Sequence, residues 1–252
     1  MGTYEDLVAE GAAAPVEGWD FSWLEGRATE QRPSWGYQRT IADRLPRVAA
    51  ALDVQTGGGE VLAGVPAYPP VMVATEGWPP NAARAARLLR PRGVAVVAVA
   101  DAPAFPFADA RFDLVTSRHP VRPWWAEIAR VLRPGGRYLA QHVGPASMLD
   151  LIEWMRGPLP AVDRHDRDPE VEAAQARAAG LEVLDVRCER LRVEFFDIAA
   201  VVHLLRKVIW WVPDFDVERD DRQLRGLHDR IRTDGSFVAW SSRVLIEARR
   251  PG

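Results

Sequence analysis

Residues 52–60, Leu-Asp-Val-Gln-Thr-Gly-Gly-Gly-Glu, place three glycines directly after a short apolar run, and an acid, Glu76, follows Asp53 by 23 positions. Glycines at the end of a strand let the backbone pass close to a ligand and let a helix begin beneath it, because no Cβ blocks the approach. An acid at about that spacing is where the second strand of a dinucleotide-type fold presents a carboxylate to ribose hydroxyls. A third feature, Arg-Val-Leu-Arg-Pro-Gly-Gly at 130–136, stops a helix with a turn and leads into a strand. Together the three point to a nucleotide-like cofactor held on an α/β sheet. Each also has a plain reading: Asp53 as a helix cap, Glu76 as a solvated loop acid, the glycines as an ordinary turn. Their joint order and spacing favour binding.

Such a loop needs alternating strands and helices to hold it, and the pattern supplies them. Residues 34–51 read as a helix, 51–55 as a strand, and the segment from Glu60 as a brief helix that Pro66 ends. Residues 71–75 form the second strand and 81–89 a helix. The continuous apolar run 94–100 predicts a strand buried on both faces. A fourth strand at 112–116, a helix at 124–132 and a fifth strand at 137–143 follow. Ser147 is a candidate cap for a helix that presents Met148, Leu151, Ile152 and Met155 on one face before Gly157. Asp168-Pro169 opens another helix and Gly180 closes it, and residues 181–186 resume the sheet. From Asp197 a nearly all-apolar helix runs to Pro213, while Leu224, Leu227, His228 and Ile231 mark one face of a further helix before a last strand at 238–248.

Seven strands in this order predict right-handed βαβ crossovers and a mostly parallel sheet with helices on both faces, its ligands at the carboxyl ends of the strands. The expected organisation is a single domain over 1–252. Residues 1–50 form an N-terminal helical cap, 51–143 the cofactor-binding core, and 144–252 the rest of the sheet, with a helical insertion at about 197–234.

Composition narrows the class. At 252 residues and 48% hydrophobic content the chain can bury a full core. A net charge of −3 gives no global field that would draw it to nucleic acid or an anionic membrane. One cysteine, Cys188, excludes an internal disulfide framework, fits a reducing, cytoplasmic compartment, and reads as buried filler among strand-like residues. The first twenty residues lack the basic flank and apolar stretch of a secretory signal. The apolar stretch 198–212 is too short to span a membrane and is interrupted by His203, Arg206 and Lys207.

On the residues quoted, the chain resembles the class I S-adenosylmethionine-dependent methyltransferases, well over 37–143 and by architecture elsewhere. The resemblance implies a doubly wound, Rossmann-like fold. The family's acid-x-Gly-x-Gly-x-Gly falls on Asp53, Gln55, Gly57 and Gly59, with Thr56 inside the loop; Gln55 replaces the first glycine, which puts the path of the turn in question. It implies that Glu76 binds both ribose hydroxyls, that Asp101 accepts from the adenine amino group, and that Ala102 offers its backbone N–H to the ring. The end of the fourth strand, including Ser117, would lie beside the methionine moiety. Arg27 and Tyr37, in a segment that often folds over the cofactor, are candidates to meet the methionine carboxylate. No metal is implied. A nicotinamide dehydrogenase fits poorly, because its Gly-x-Gly-x-x-Gly pattern, started at Gly57 and Gly59, reaches Leu62.

The chemistry implied is in-line attack by a nucleophile on a sulfonium methyl group, with S-adenosylhomocysteine as product; alignment and exclusion of water supply most of it. His119 is the first candidate for a base and His142 the second, although a histidine that caps or packs beside Trp124 is the commoner reading of each. Several of the ten tryptophans could enclose an apolar or aromatic acceptor, or be core. His203, Arg206 and Lys207 share a helix face that reads as a solvated stripe. The expected partner is a small-molecule methyl acceptor, with the protein a monomer or homodimer. An RNA methyltransferase and a non-catalytic S-adenosylmethionine-binding regulator remain the alternatives.

Overall fold

A computed structural model of the chain describes residues 2–100, 104–160 and 167–252. In chain order the elements used below are α1 (Tyr4–Ala13), β1 (Ala28–Glu30), α2 (Tyr37–Arg44), β2 (Ala50–Val54), α3 (Glu60–Ala63), β3 (Val71–Glu76), α4 (Pro79–Leu89) and β4 (Ala95–Ala98). They continue with β5 (Phe112–Arg118), α5 (Trp125–Val131), β6 (Leu132–Val143), α6 (Leu149–Arg156), α7 (Pro169–Ala178), β7 (Glu182–Phe195), α8 (Ile198–Lys207), α9 (Asp221–Asp234) and β8 (Phe237–Arg249). The strands form an eight-stranded, mostly parallel α/β sheet in the order β1-β7-β8-β6-β5-β2-β3-β4. The pairs β6·β5, β5·β2, β2·β3 and β3·β4 are parallel, and β8 runs antiparallel to β6.

The chain divides into two compact units. The larger comprises Pro33–Gly144, Arg167–Glu189 and Arg243–Gly252. Successive residues of β2 point to opposite faces, as strand geometry requires. Leu52 and Val54 join a cluster with Trp125 and Ile128 of α5 and Ala176 of α7. Ala51 joins a second cluster with Ile41 of α2 and Ala85 and Leu89 of α4. All five residues of β2 are buried, so the strand that leads into the glycine loop is held from both sides.

The other unit comprises Met1–Arg32, Pro145–Asp166 and Arg190–Ser242. It is built around α8, whose N-cap Asp197 accepts from the Ala200 N–H at 2.8 Å and whose residues Ile198 to Leu205 are all buried. Helix α1 crosses α8 at Gly11, where a Cβ would stand 2.5 Å from the Ala199 carbonyl oxygen. The four residues Leu224, Leu227, His228 and Ile231 form the buried face of α9, and Asp168 and Gly157 cap α7 and α6 in their expected places.

Four expectations need correction. The sheet has eight strands instead of seven: β1 pairs antiparallel with β7 inside a segment expected to be helical, and three residues are too few to carry a period. The helix expected over 34–51 is shorter, because Pro46 turns the chain into a 3₁₀ segment at Leu45–Arg47 ahead of β2. The run at 94–100 yields β4, the sheet's edge strand; Ala95 and Ala98 are exposed, since an apolar run does not reveal whether it has one neighbour or two. Met148, in the left-handed region, stands at the N-cap position of α6, and the Ser147 hydroxyl instead accepts from the Ser242 N–H. Among the described residues no helix is long and apolar enough to cross a membrane.

Candidate functional site

Strand β2 delivers Asp53 and then the loop Gln55-Thr56-Gly57-Gly58-Gly59 at its carboxyl end. The loop turns through three left-handed residues: Gln55 at φ +55°, Gly57 at +64° and Gly59 at +85°. The two glycines take that region freely, whereas for glutamine it costs about 1 kcal/mol. Gly59 also passes tightly beside α4, where a Cβ would lie 2.9 Å from Leu89 Cδ1. The Thr56 N–H donates to the Thr75 carbonyl at 2.9 Å and fixes the loop to β3.

Glu76 ends β3 and is almost wholly buried. Its Oε2 accepts from the Gly57 N–H at 2.7 Å, and its Oε1 accepts from the N–H groups of Gly77 and Trp78 at 3.0 and 2.9 Å. One carboxylate therefore joins the glycine loop of β2 to the start of the β3–α4 turn. A charge held this way is stabilised by backbone dipoles.

Asp53 lies beneath the loop. Its Oδ1 accepts from the Thr116 hydroxyl at 2.6 Å. Burial pushes its pKa up to about 6, against the pull of that hydroxyl and with some help from the negative charge of Glu76. Ser117, also buried, donates from its hydroxyl to the Val54 carbonyl at 2.7 Å, and its own carbonyl accepts from the Tyr37 hydroxyl at 2.9 Å. Burial holds the Tyr37 phenol well above its ordinary range. The structure thus brings Asp53, Gln55, Thr56, Gly57, Gly59, Glu76, Ser117 and Tyr37 together where β2, β3 and β5 end. Asp101 and Ala102 lie outside the described residues.

The two histidines proposed as bases already have hydrogen-bond partners. Trp35 Nε1 can only donate, and it meets Gln141 Oε1 at 2.8 Å, which turns the amide nitrogen of Gln141 toward His119 Nε2 at 3.0 Å. His119 Nε2 must then accept, so the ring is neutral with its proton on Nδ1. Desolvation depresses its pKa well below the ordinary value, reinforced by the nearby cationic charges of Arg118 and Arg243. His142 is buried, with Nδ1 2.6 Å from Glu172 Oε2 and Nε2 3.0 Å from the Tyr138 hydroxyl. Both ring nitrogens are thus engaged, one with the carboxylate and one with the tyrosine hydroxyl. As placed, each histidine fastens strands and helices, and neither offers an unoccupied lone pair. Gln141, which orients His119, went unnoticed in the sequence, and Thr116 was marked only as part of the end of the fourth strand; no motif marks their ties to His119 and Asp53, because these come from strand register.

Arg27 belongs to the other unit, where it pairs with Asp197 at 3.0 Å and with Glu10, so its charge is already matched there. The solvated stripe expected on α8 is not found. His203 and Lys207 are buried, Trp23 packs on His203 with ring centroids 4.7 Å apart, Lys207 lies over Phe21 at 5.2 Å, and Arg206 donates to the carbonyls of Gly11 and Ala14. Residues 11–23 cover that face, which helical spacing alone does not disclose. Cys188, expected as buried filler, is exposed.

Residues 52–140 match the family model of a methyltransferase domain. The matched stretch is about a third of the chain. It contains the glycine loop, Glu76, both Asp101 and Ala102, and His119. A provisionally named methyltransferase of Bacillus halodurans C-125 is 21% identical, with a TM-score of 0.62 over 87% of this chain and 99% of that one. The YcgJ protein of Bacillus subtilis is 17% identical, with a TM-score of 0.61 over 86% and 98% of the two chains. Phosphoethanolamine N-methyltransferase 2 of Haemonchus contortus, solved with phosphomonomethylethanolamine and S-adenosylhomocysteine, is 18% identical, with a TM-score of 0.52 over 86% of this chain and 53% of that one. At these identities the likeness is one of fold. No curated protein sequence matches the chain.

Proposed function

We propose that the methyltransferase domain binds S-adenosylmethionine and transfers its methyl group to a small, apolar or aromatic acceptor. The observation that carries this reading is Glu76, a buried carboxylate hydrogen-bonded to Gly57 of the loop at the end of the neighbouring strand. Its two oxygens suit the vicinal hydroxyls of a ribose, and they sit at the carboxyl edge of a parallel sheet, where ligands of this fold class bind. Left-handed glycines keep side chains away from the loop's path, so the donor set and the space both fit the group.

In this reading Glu76 accepts the ribose hydroxyls in addition to, or in place of, its backbone donors. Asp101 and Ala102 take the adenine, as the family resemblance implies. Ser117 and Tyr37 hold the end of β5 in register beside the loop. When bound, S-adenosylmethionine supplies an electrophilic methyl group on a sulfonium, already activated. The chain's residues are then needed to align the acceptor and exclude water. Since His119 Nε2 is engaged by Gln141 and both ring nitrogens of His142 by Tyr138 and Glu172, the reading favours an acceptor that arrives as a nucleophile, such as a neutral amine or an ionised oxygen or sulfur. Those same occupied histidines also favour the second reading, a regulator that binds the cofactor without transfer.

The weakly negative charge favours a small molecule over RNA, and the composition a cytoplasmic setting. Calorimetric titration with S-adenosylmethionine, S-adenosylhomocysteine and NAD tests the pocket, and transfer of a labelled methyl group to a panel of amines, phenols and thiols tests the chemistry. Binding of the sulfur ligands with label transfer supports the enzyme. Binding without transfer across the panel supports the regulator, and preference for NAD overturns both.

A further inference from the structure

Gln55 occupies a backbone conformation that glycine takes without strain, at φ +55°, and its side chain does not turn into the loop. The amide spans to the segment that follows β5: its Oε1 accepts from the Val121 N–H at 2.6 Å and its Nε2 donates to the Arg122 carbonyl at 2.8 Å. Both ends of one amide are thus bonded to the backbone of adjacent residues, a fork that fixes direction as well as distance. The segment it grips begins with His119, itself left-handed at φ +56° and bonded through its own N–H to the Gln141 carbonyl at 2.6 Å. It ends with Arg122 stacked over Trp124 at 5.2 Å, beside a cavity of about 400 Å³ lined by Arg122, Trp124, Trp125, Glu127 and Gln175. A left-handed non-glycine residue persists where its surroundings determine it, and here the amide bonds do so.

We propose that Gln55 is a positioning residue that couples the glycine loop to residues 119–124, so that a ligand ordering the loop also orders the segment carrying His119 and Trp124. The proposal rests on the cofactor reading for the identity of that ligand, and on geometry alone for the latch. A glycine at this position relaxes the backbone and removes the latch. Asparagine, which tolerates the left-handed region, keeps an amide that is one methylene too short.

Amide hydrogen exchange at residues 57–59 and 121–124, with and without saturating S-adenosylhomocysteine, tests it on the full chain as wild type, Gln55→Gly and Gln55→Asn. Without ligand, Val121 should exchange at least about tenfold faster in both variants, as its N–H loses its acceptor. With ligand, the wild type should gain protection at both segments. With the ligand raised until each variant is saturated, Gln55→Gly should gain protection at 57–59 but not at 121–124. Equal ligand-induced protection at 121–124 in wild type and Gln55→Gly overturns the coupling, and unchanged exchange of Val121 without ligand overturns the latch. If S-adenosylhomocysteine does not bind the wild type, the cofactor reading and the ligand-driven coupling fail, while the ligand-free comparison still decides the latch. A melting temperature for Gln55→Gly no lower than wild type separates positioning from a plain loss of structure.

Discussion

Around the glycine loop, three ionisable side chains are answered by specific partners: Glu76 by three backbone N–H groups, Asp53 by Thr116, and His119 by Gln141. In the unit built on α8, His203 is fully enclosed and neither ring nitrogen has a partner among the described residues, while Arg27 and Arg156 are matched by Asp197 and Asp220. In the first region the polar atoms set the positions of loops. In the second, the polar groups hold helices and covering segments in place, and the His203 ring is carried at a loss. The contrast teaches where a ligand is to be sought, because backbone groups organised at strand ends can be re-used by a ligand, whereas ion pairs between packed elements cannot.

Glycine substitutions break the comparison hardest. Gly59→Val adds a Cβ against Leu89 at a backbone angle of +85° and should destabilise by about 2–4 kcal/mol, with ligand binding lost alongside. Gly11→Ala drives a methyl into the Ala199 carbonyl and should cost about 1–3 kcal/mol while leaving affinity for S-adenosylhomocysteine unchanged at temperatures where the protein stays folded. Urea unfolding followed by calorimetry on the folded samples checks both. Loss of binding in Gly11→Ala, or full binding by Gly59→Val, would erase the distinction.

Next in size is His203→Leu, which should stabilise by about 1–2 kcal/mol at neutral pH by removing an unpartnered buried imidazole. Burial, aided by Lys207 and Arg206, lowers the His203 pKa to about 4. The unfolded chain therefore binds the extra proton first, and stability falls as pH drops from about 6.5 to about 4. Asp53 has the opposite sign: with its pKa raised to about 6, the folded state binds the extra proton, and stability falls as pH rises from about 3.8 to about 6. His203→Leu should thus flatten the rise of stability with pH in that window, and Asp53→Asn should steepen it. Denaturation midpoints across the window decide it, and parallel slopes for both variants and wild type would sink the assignment. The smallest effect is expected at exposed Cys188, where serine should change stability by less than about 0.5 kcal/mol.

Much of the larger unit was legible because its signals are local. Glycine after an apolar run and an acid one βαβ unit later each report a backbone requirement, and β2, β3 and β5 lie where the signals put them; β6 begins at Leu132, so the Pro-Gly-Gly expected ahead of a strand at 137–143 lies inside it. What stayed hidden depends on neighbours distant in sequence. The exposure of β4 follows from its place at the sheet edge, and the burial of His203 from residues 11–23 folding over α8. The ties on His119 and His142 follow from the register of β5 against β6 and from α7, which brings Glu172 to His142. Gln55 shows the gap most plainly. Its departure from glycine is visible in the sequence, but the compensating bonds to Val121 and Arg122 require the fold.

The central claim is that Glu76 and the glycine loop form a cofactor site, and it is tested most directly by titrating S-adenosylhomocysteine into wild type and Glu76→Ala, each confirmed folded by its melting curve. The account predicts micromolar-range binding to the wild type and a loss of about 1–3 kcal/mol in the variant, roughly a tenfold to hundredfold weakening. Equal affinity in a folded Glu76→Ala, or no binding to the wild type, would contradict it.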